Sequence, residues 1–312
     1  MRLLIILACL QLLMACGEKK ETPVTIGINP WPGYEYLYLA QQLGYFKQLG
    51  LNVSMHPLDS LSDTQRAYIH GRVDGFTSTL IEVVQAQVLS DRPLNFFIVT
   101  DYSNGGDVIL ARKSIETLAD IKGKRVGCEV SSLGIYLLHR ALATVNLSLE
   151  DVNVVNLEQS LGKAAFENDE IDVFVTYPPI SLDILKFDDI HTVFTSAEIP
   201  YEILDVVSLS VDTIKKDDQL VPGIRKAWQM ALDYERQHPL EAHQIMAARQ
   251  RISVEEYTSV LGDIKILDDT EQTKLFQQAQ FLQQRSREVC ETLVAVQAIE
   301  TDCAKLPSVV YQ

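Results

Sequence analysis

Apolar and polar positions along this chain follow two alternating periods. Short β-branched or aromatic runs are each followed by a segment whose apolar residues recur every three or four positions, the signatures of strand and helix. In the first such pair 24–29 reads as a strand. Over 36–49, Tyr36, Leu39, Ala40, Leu43 and Phe46 share one helical face, and Gly50 stops the helix. Strands over 51–56, 73–76 and 94–100, with helices over 62–70 and from 80 to 90, continue the rhythm. After Gly105-Gly106 it begins again. Strands are expected over 107–111, 125–130, 152–157, 171–176 and 191–195, with helices over 133–145 and 162–168. A strand over 203–210 reads as a return to the first unit. From Leu220 the pattern is almost wholly helical and ends in a long amphipathic run over 270–299. This alternation predicts an α/β protein with largely parallel sheets.

The two halves echo each other weakly. Gly71-Arg72-Val73-Asp74 leads an apolar strand into Thr77-Ser78-Thr79, and Asn168-Asp169-Glu170-Ile171-Asp172 leads another into Thr176-Tyr177-Pro178-Pro179. Each sets polar or aromatic residues just past the carboxyl end of a strand, where open α/β sheets bind ligands. A first lobe entered twice, with a second inserted, would set these ends on opposite walls of one cleft.

The amino terminus stands outside this pattern. Met1 and Arg2 precede an almost wholly apolar run to Met14, and Leu13-Met14-Ala15-Cys16 closes it. The run is short for a bilayer span, so residues 1–15 read as a signal peptide. A small residue before a cysteine resembles the lipobox of bacterial lipoproteins, with Cys16 as the lipidation site and 16–23 as a tether. Net charge is −15, which disfavours nucleic acid and anionic lipid surfaces. Of five cysteines, Cys9 and Cys16 lie in the export segment. In an oxidising compartment Cys290 and Cys303 could pair across a turn or remain as two free thiols, with Cys128 a small buried residue on a strand.

Between the first strand and first helix lies Asn29-Pro30-Trp31-Pro32-Gly33-Tyr34-Glu35. Its prolines and glycine fix a loop on which Trp31 and Tyr34 either stand exposed, offering flat faces to a planar or cationic ligand, or cap a core beneath the turn. Val24 to Glu35 resembles the opening of nitrate/sulfonate/taurine-type substrate-binding proteins of ABC importers, a superfamily that includes binders of thiamine-precursor pyrimidines. Leu118-Ala119-Asp120-Ile121-Lys122-Gly123-Lys124-Arg125-Val126-Gly127 is similar to the stretch leading into their second lobe. Val173-Phe174-Val175-Thr176-Tyr177-Pro178-Pro179 is similar to a segment lining their cleft. The resemblance runs from Val24 to Leu267. It implies a type II periplasmic-binding-protein fold: two α/β lobes, a ligand cleft between them and a helical C-terminal region. Residues 24–106 and 205–312 would form lobe 1, and 107–204 lobe 2. Carried over position by position, the ligand-binding residues fall on Asn29, Trp31, Pro32, Gly33 and Tyr34; on Thr77, Ser78 and Thr79; on Asp101 and Tyr102; on Ser131 and Ser132; and on Tyr177. Relatives that synthesise the thiamine pyrimidine carry a cysteine-rich run that is absent here.

Ser131 and Ser132 precede a helix, so either could serve as its N-cap or expose N–H groups to an anion. Candidate cleft carboxylates are Glu35, Asp101, Glu129, Glu202 and Asp205, with Arg112 the nearest cation. An aromatic, acidic site favours a nitrogenous, heteroaromatic or cationic ligand over nitrate or a sulfonate. Enzyme motifs are missing: there is no G-x-S-x-G, H-E-x-x-H, Walker loop or dinucleotide glycine fingerprint, and no zinc spacing. The expectation is therefore a monomeric, non-enzymatic solute-binding lipoprotein, without metal or cofactor. It would be anchored at the periplasmic face or cell surface of a bacterial membrane and deliver ligand to an ABC permease. The alternatives are a ligand-sensing co-receptor for a membrane signalling protein, or a binder of an anion such as a sulfonate or nitrate.

Overall fold

A computed structural model describes residues 23–311. The signal-peptide, Cys16 lipidation and tether readings fall on residues up to 22, outside the described residues. Eleven strands form two sheets among the described residues. The first contains β1 (Val24–Ile28), β2 (Val53–Pro57), β3 (Gly75–Thr79), β4 (Leu94–Ser103), β10 (Leu204–Ser210) and β11 (Ile264–Ile266), in the order β11-β4-β10-β3-β1-β2. The second contains β5 (Val108–Arg112), β6 (Arg125–Cys128), β7 (Asn153–Asn156), β8 (Val173–Thr176) and β9 (Ile190–Thr195), in the order β7-β6-β8-β5-β9. The sheets are mixed rather than largely parallel. β1 runs parallel to β2 and β3, and β6 to β7 and β8, whereas β10, β4 and β11 pair antiparallel, as β5 does with β8 and β9. The antiparallel pairing of β5 and β10 arises because the chain crosses between sheets after β4 and returns before β10 instead of winding back through a helix.

These crossings are tied together. The Ser103 and Ser196 hydroxyls lie 2.8 Å apart, and the Gly105 N–H donates to Ser196 Oγ at 2.8 Å. Gly105 has φ +125°, a backbone that a side chain would strain. Just beyond, Gly106 clears the site, since a Cβ there would come within 2.7 Å of Trp31 Cη2.

Alternation on β8 shows how the core divides. Val173 and Val175 join the main apolar cluster, which continues through Tyr177 and Trp31 into the first sheet. Phe174 faces the other way into a smaller cluster with Phe166, Ile184 and Ile190. Three elements differ from the sequence pattern. The run over 36–49 breaks into Glu35–Gln42 and Tyr45–Gln48, because Gly44 takes φ +73°. The run over 270–299 breaks at Gln278 into Asp269–Gln277 and Ala279–Ala295. Ile264–Ile266 lies in the stretch expected to be helical, yet pairs with Ser103 to Asp101 at the edge of the sheet. Cys290 and Cys303 form a disulfide, and Cys128 is free and buried. The bridge stands just ahead of a tail whose Val309 C=O and Tyr311 N–H bond Phe96 of β4.

Candidate ligand-binding cleft

The carboxyl ends of β1, β3 and β4 and the start of β10 face the ends of β6 and β8 across the gap between the sheets. After β1 the chain turns through the 3-10 segment Pro32–Tyr34, held by the Tyr34 N–H to Trp31 C=O bond at 3.0 Å and by Tyr257, whose hydroxyl donates to Pro32 C=O at 3.0 Å. The loop aromatics are buried rather than exposed. Trp31 packs edge-on against Tyr177 of the opposite lobe, with ring centres 6.1 Å apart at 80°. Its indole N–H is shared between Asp101 Oδ1 and Oδ2 at 3.2 and 3.3 Å. Gly33 makes this possible: a Cβ there would sit 1.9 Å from Asp101 Oδ2.

Asp101 also accepts from Thr100 Oγ1 at 2.9 Å and stands opposite Asp205 in the β4–β10 register. The Tyr34 hydroxyl donates to Asp205 Oδ1, while Asp205 Oδ2 has no hydrogen-bond partner among the described residues. The same holds for Asp107 Oδ2 and Glu129 Oε1. Glu82 completes the acidic set. It accepts from the Thr79 N–H at 2.9 Å, from Thr79 Oγ1 at 2.6 Å and from the Leu133 N–H at 2.7 Å. Among the described residues, none of these five acids forms an ion pair.

Their titration reflects that isolation. Burial pushes the Asp101, Asp107 and Glu82 carboxyls up to about 7. Asp205 is driven well above the usual carboxylate range, by burial first and then by Asp101 and Asp107. Glu129 is raised by burial as well. A buried anion without a cation is costly and stays neutral until one arrives. Such a site can bind a cation, or donate and accept hydrogen bonds with a polar heterocycle against Trp31 and Tyr177. No grouping of His, Cys, Asp and Glu among the described residues is suited to holding a metal ion.

The remaining candidates fall as follows. The Thr77 hydroxyl donates to Asn29 Oδ1 at 3.4 Å, and the Ser78 hydroxyl donates to the Thr79 carbonyl at 2.9 Å; all of these residues are buried. The Ser131 hydroxyl meets Ser62 across the gap at 3.2 Å, and Tyr177 Oη accepts the Leu61 N–H at 3.3 Å. Ser132 holds the N-cap position of Leu133–Thr144, but its side chain donates to Glu129 Oε2 at 3.3 Å instead of capping. Tyr102 lies apart from the group. Adjacent strand residues face opposite ways, so Asp101 points into the gap and Tyr102 packs against Tyr201, ring centres 5.6 Å apart. Two candidate acids prove to be paired elsewhere, Glu35 with Arg249 and Gln250, and Glu202 with Arg140 at 2.7 Å. Arg112 does not serve the cleft, because it pairs with Asp169 and Asp189. Asp107 and Glu82 escaped the sequence reading. Thr79 and Glu82 form a capping box, which looks purely structural in sequence, and Asp107 reads as the first residue of a strand.

Two sheets joined by paired crossings, with polar strand ends facing across a gap, define the periplasmic-binding-protein fold. The E. coli periplasmic aliphatic sulphonate binding protein SsuA superposes with a TM-score of 0.74 at 16% identity, over 94% of this chain and 93% of that one. A family model described as NMT1/THI5 like matches residues 31–242, and the chain belongs to that family. A Haemophilus influenzae protein named for thiamine biosynthesis is 27% identical over 239 residues, 75% of each chain. The 4-amino-5-hydroxymethyl-2-methylpyrimidine phosphate synthase of Aspergillus parasiticus is 27% identical over 139 residues, 44% of this chain and 40% of that protein.

Proposed function

We propose that this protein is an extracytoplasmic solute-binding protein of the ABC-importer type, lipid-anchored through Cys16. It closes its lobes, 24–106 with 205–312 against 107–204, over a small nitrogen-containing ligand and hands it to a membrane permease. The observation that carries the ligand class is the set of five buried acids without a cation around Trp31 and Tyr177. A protonated amine or an aminopyrimidine would supply the missing donors and charge, and on lobe opening Trp31 and Tyr177 would each offer it an aromatic face. The relative named for thiamine biosynthesis fits that class. Direct contacts between the lobes, Leu61 to Tyr177 and Ser62 to Ser131, describe a closed form. Ligand would enter an opened form and shift the population toward closure.

An anion reading draws on the sulphonate-binding fold neighbour. The acids in the gap oppose it, since any of them that is ionised meets an anion with like charge. An enzymatic reading draws on the synthase relative. Cys128, the free thiol among the described residues, is buried and pushed up to about 12, which suits packing rather than nucleophilic chemistry. A thermal-shift screen across aminopyrimidines, amines, amino acids and sulfonates tests the assignment. Stabilisation by an amine or aminopyrimidine is the expected result. Stabilisation by sulfonates alone would overturn the ligand class, and turnover of a bound compound would overturn the binding-only role.

A further inference from the structure

Helix Leu133–Thr144 starts immediately behind the cleft wall of the second sheet and directs its N-terminus at the first. The leading N–H groups of a helix have no partner within it, and together with the helix dipole they attract an anion. Here the anion comes from the protein itself. The Leu133 N–H donates to Glu82 Oε1 at 2.7 Å, from one lobe to the other. The Ser132 hydroxyl, the usual local partner, is turned toward Glu129.

Glu82 is well placed for this. It is fully buried on helix Leu80–Leu89, and its other oxygen is fixed by the N–H and hydroxyl of Thr79. Its carboxylate is therefore held rigidly in the first lobe before the second lobe meets it. We infer that Glu82 is a specificity-determining residue, an internal carboxylate that fills the helix N-terminus of the opposite lobe on closure, excludes anionic ligands from it and latches the closed form. The inference rests on the gap between the lobes being the ligand site. It explains how a fold with a helix end aimed into its cleft can serve nitrogenous ligands: that anion-attracting end is already taken.

The test is titration of Glu82→Ala and Glu82→Gln with methanesulfonate at pH 5.5, by calorimetry, with closure followed by small-angle X-ray scattering. At that pH the Asp101 and Asp107 carboxyls, held near 7, are neutral, so their repulsion does not mask the result. Glu82 is held near 7 as well, so at pH 5.5 the native chain blocks the position with a neutral carboxyl whose carbonyl oxygen accepts the Leu133 N–H. Glu82→Ala is expected to bind methanesulfonate at least tenfold more tightly than the native protein, and to be more open without ligand. Glu82→Gln keeps one oxygen for two sets of donors and should gain about threefold. Should Glu82→Ala fail to give a cooperative unfolding transition, Glu82→Gln alone decides, and no gain in it overturns the inference. Folded variants that lose thermal stability without gaining anion affinity would reduce Glu82 to a helix cap, and equal methanesulfonate binding by the native chain would overturn the inference too. An amine or aminopyrimidine that stabilises neither form, beside a clear anion gain in Glu82→Ala, would remove the nitrogenous ligand and leave the role of Glu82 intact.

Discussion

Asp205 carries one carboxylate oxygen bonded to Tyr34 and another with no protein partner, at a site fully removed from solvent. In the ligand-free protein such a group is a liability, since ionising it requires a desolvated charge beside Asp101. For a cationic ligand the same group is an attraction. Asp205→Asn should therefore separate stability from function. We expect the ligand-free variant to melt at a higher temperature than the native protein at pH 8, while affinity for an amine or aminopyrimidine falls about 30-fold or more, the loss of a charged hydrogen bond. Calorimetric melting and binding titration check both halves, and a parallel loss of stability and affinity would make Asp205 structural. Asp101 could be identified from sequence because it ends a long apolar strand. The partners that draw Glu35 and Glu202 away from the cleft, Arg249 and Arg140, are distant in the chain, and only folding brings them near.

At the scale of elements, strands and helices were legible wherever one period ran unbroken, and were misjudged where a single residue interrupted it. Gly44 and Gln278 each divide an apolar pattern that continues smoothly across them. Ile264-Lys265-Ile266 is too short for periodicity to register, and becomes a strand because β4 extends to Ser103 and leaves an edge to be paired. The C-terminal helices are held by a link that spacing left open. The Cys290–Cys303 disulfide closes a 13-residue separation and fixes the chain leading to Val309–Tyr311 on β4. Replacing both cysteines by alanine should lower unfolding free energy by about 2–3 kcal/mol, the entropy regained by an unlinked loop of that size. Affinity for ligand should remain within about twofold, because the bridge lies outside the cleft group. Chemical denaturation with and without reductant measures the first. A loss of binding in the folded variant would mean that the tail positions β4, and Asp101 with it.

For the whole molecule, the consequence of gathering acids between two lobes is a dependence on pH. Asp101, Asp107, Glu82 and also Glu35 are raised to about 7, mainly by burial, and Asp205 lies higher still. In the unfolded chain carboxyls titrate near 4. Between these limits the folded protein binds more protons at these groups than the unfolded one, so the stability they contribute is fully present below about pH 4 and is lost as pH rises toward 7 and beyond. The closed form should lose population over the same window, since opening returns the acids to water. A cationic ligand reverses the trend. Binding requires the carboxylate form, so affinity should rise between pH 5 and 8, by up to about tenfold per pH unit for each proton released. Surface repulsion in a chain of net charge −15 also favours opening at high pH, so the comparison needs Asp205→Asn, which keeps the surface and removes one buried site. Melting temperature of the ligand-free native protein is expected to fall from pH 5 to pH 8, and to fall less in Asp205→Asn. Calorimetry in buffers of different ionisation enthalpy should detect proton release on binding at pH 6. A native melting temperature that stays flat or climbs over this range, or binding without proton release, would mean that the acids are already ionised in the closed protein, and the charge balance between cleft and ligand would have to be redrawn.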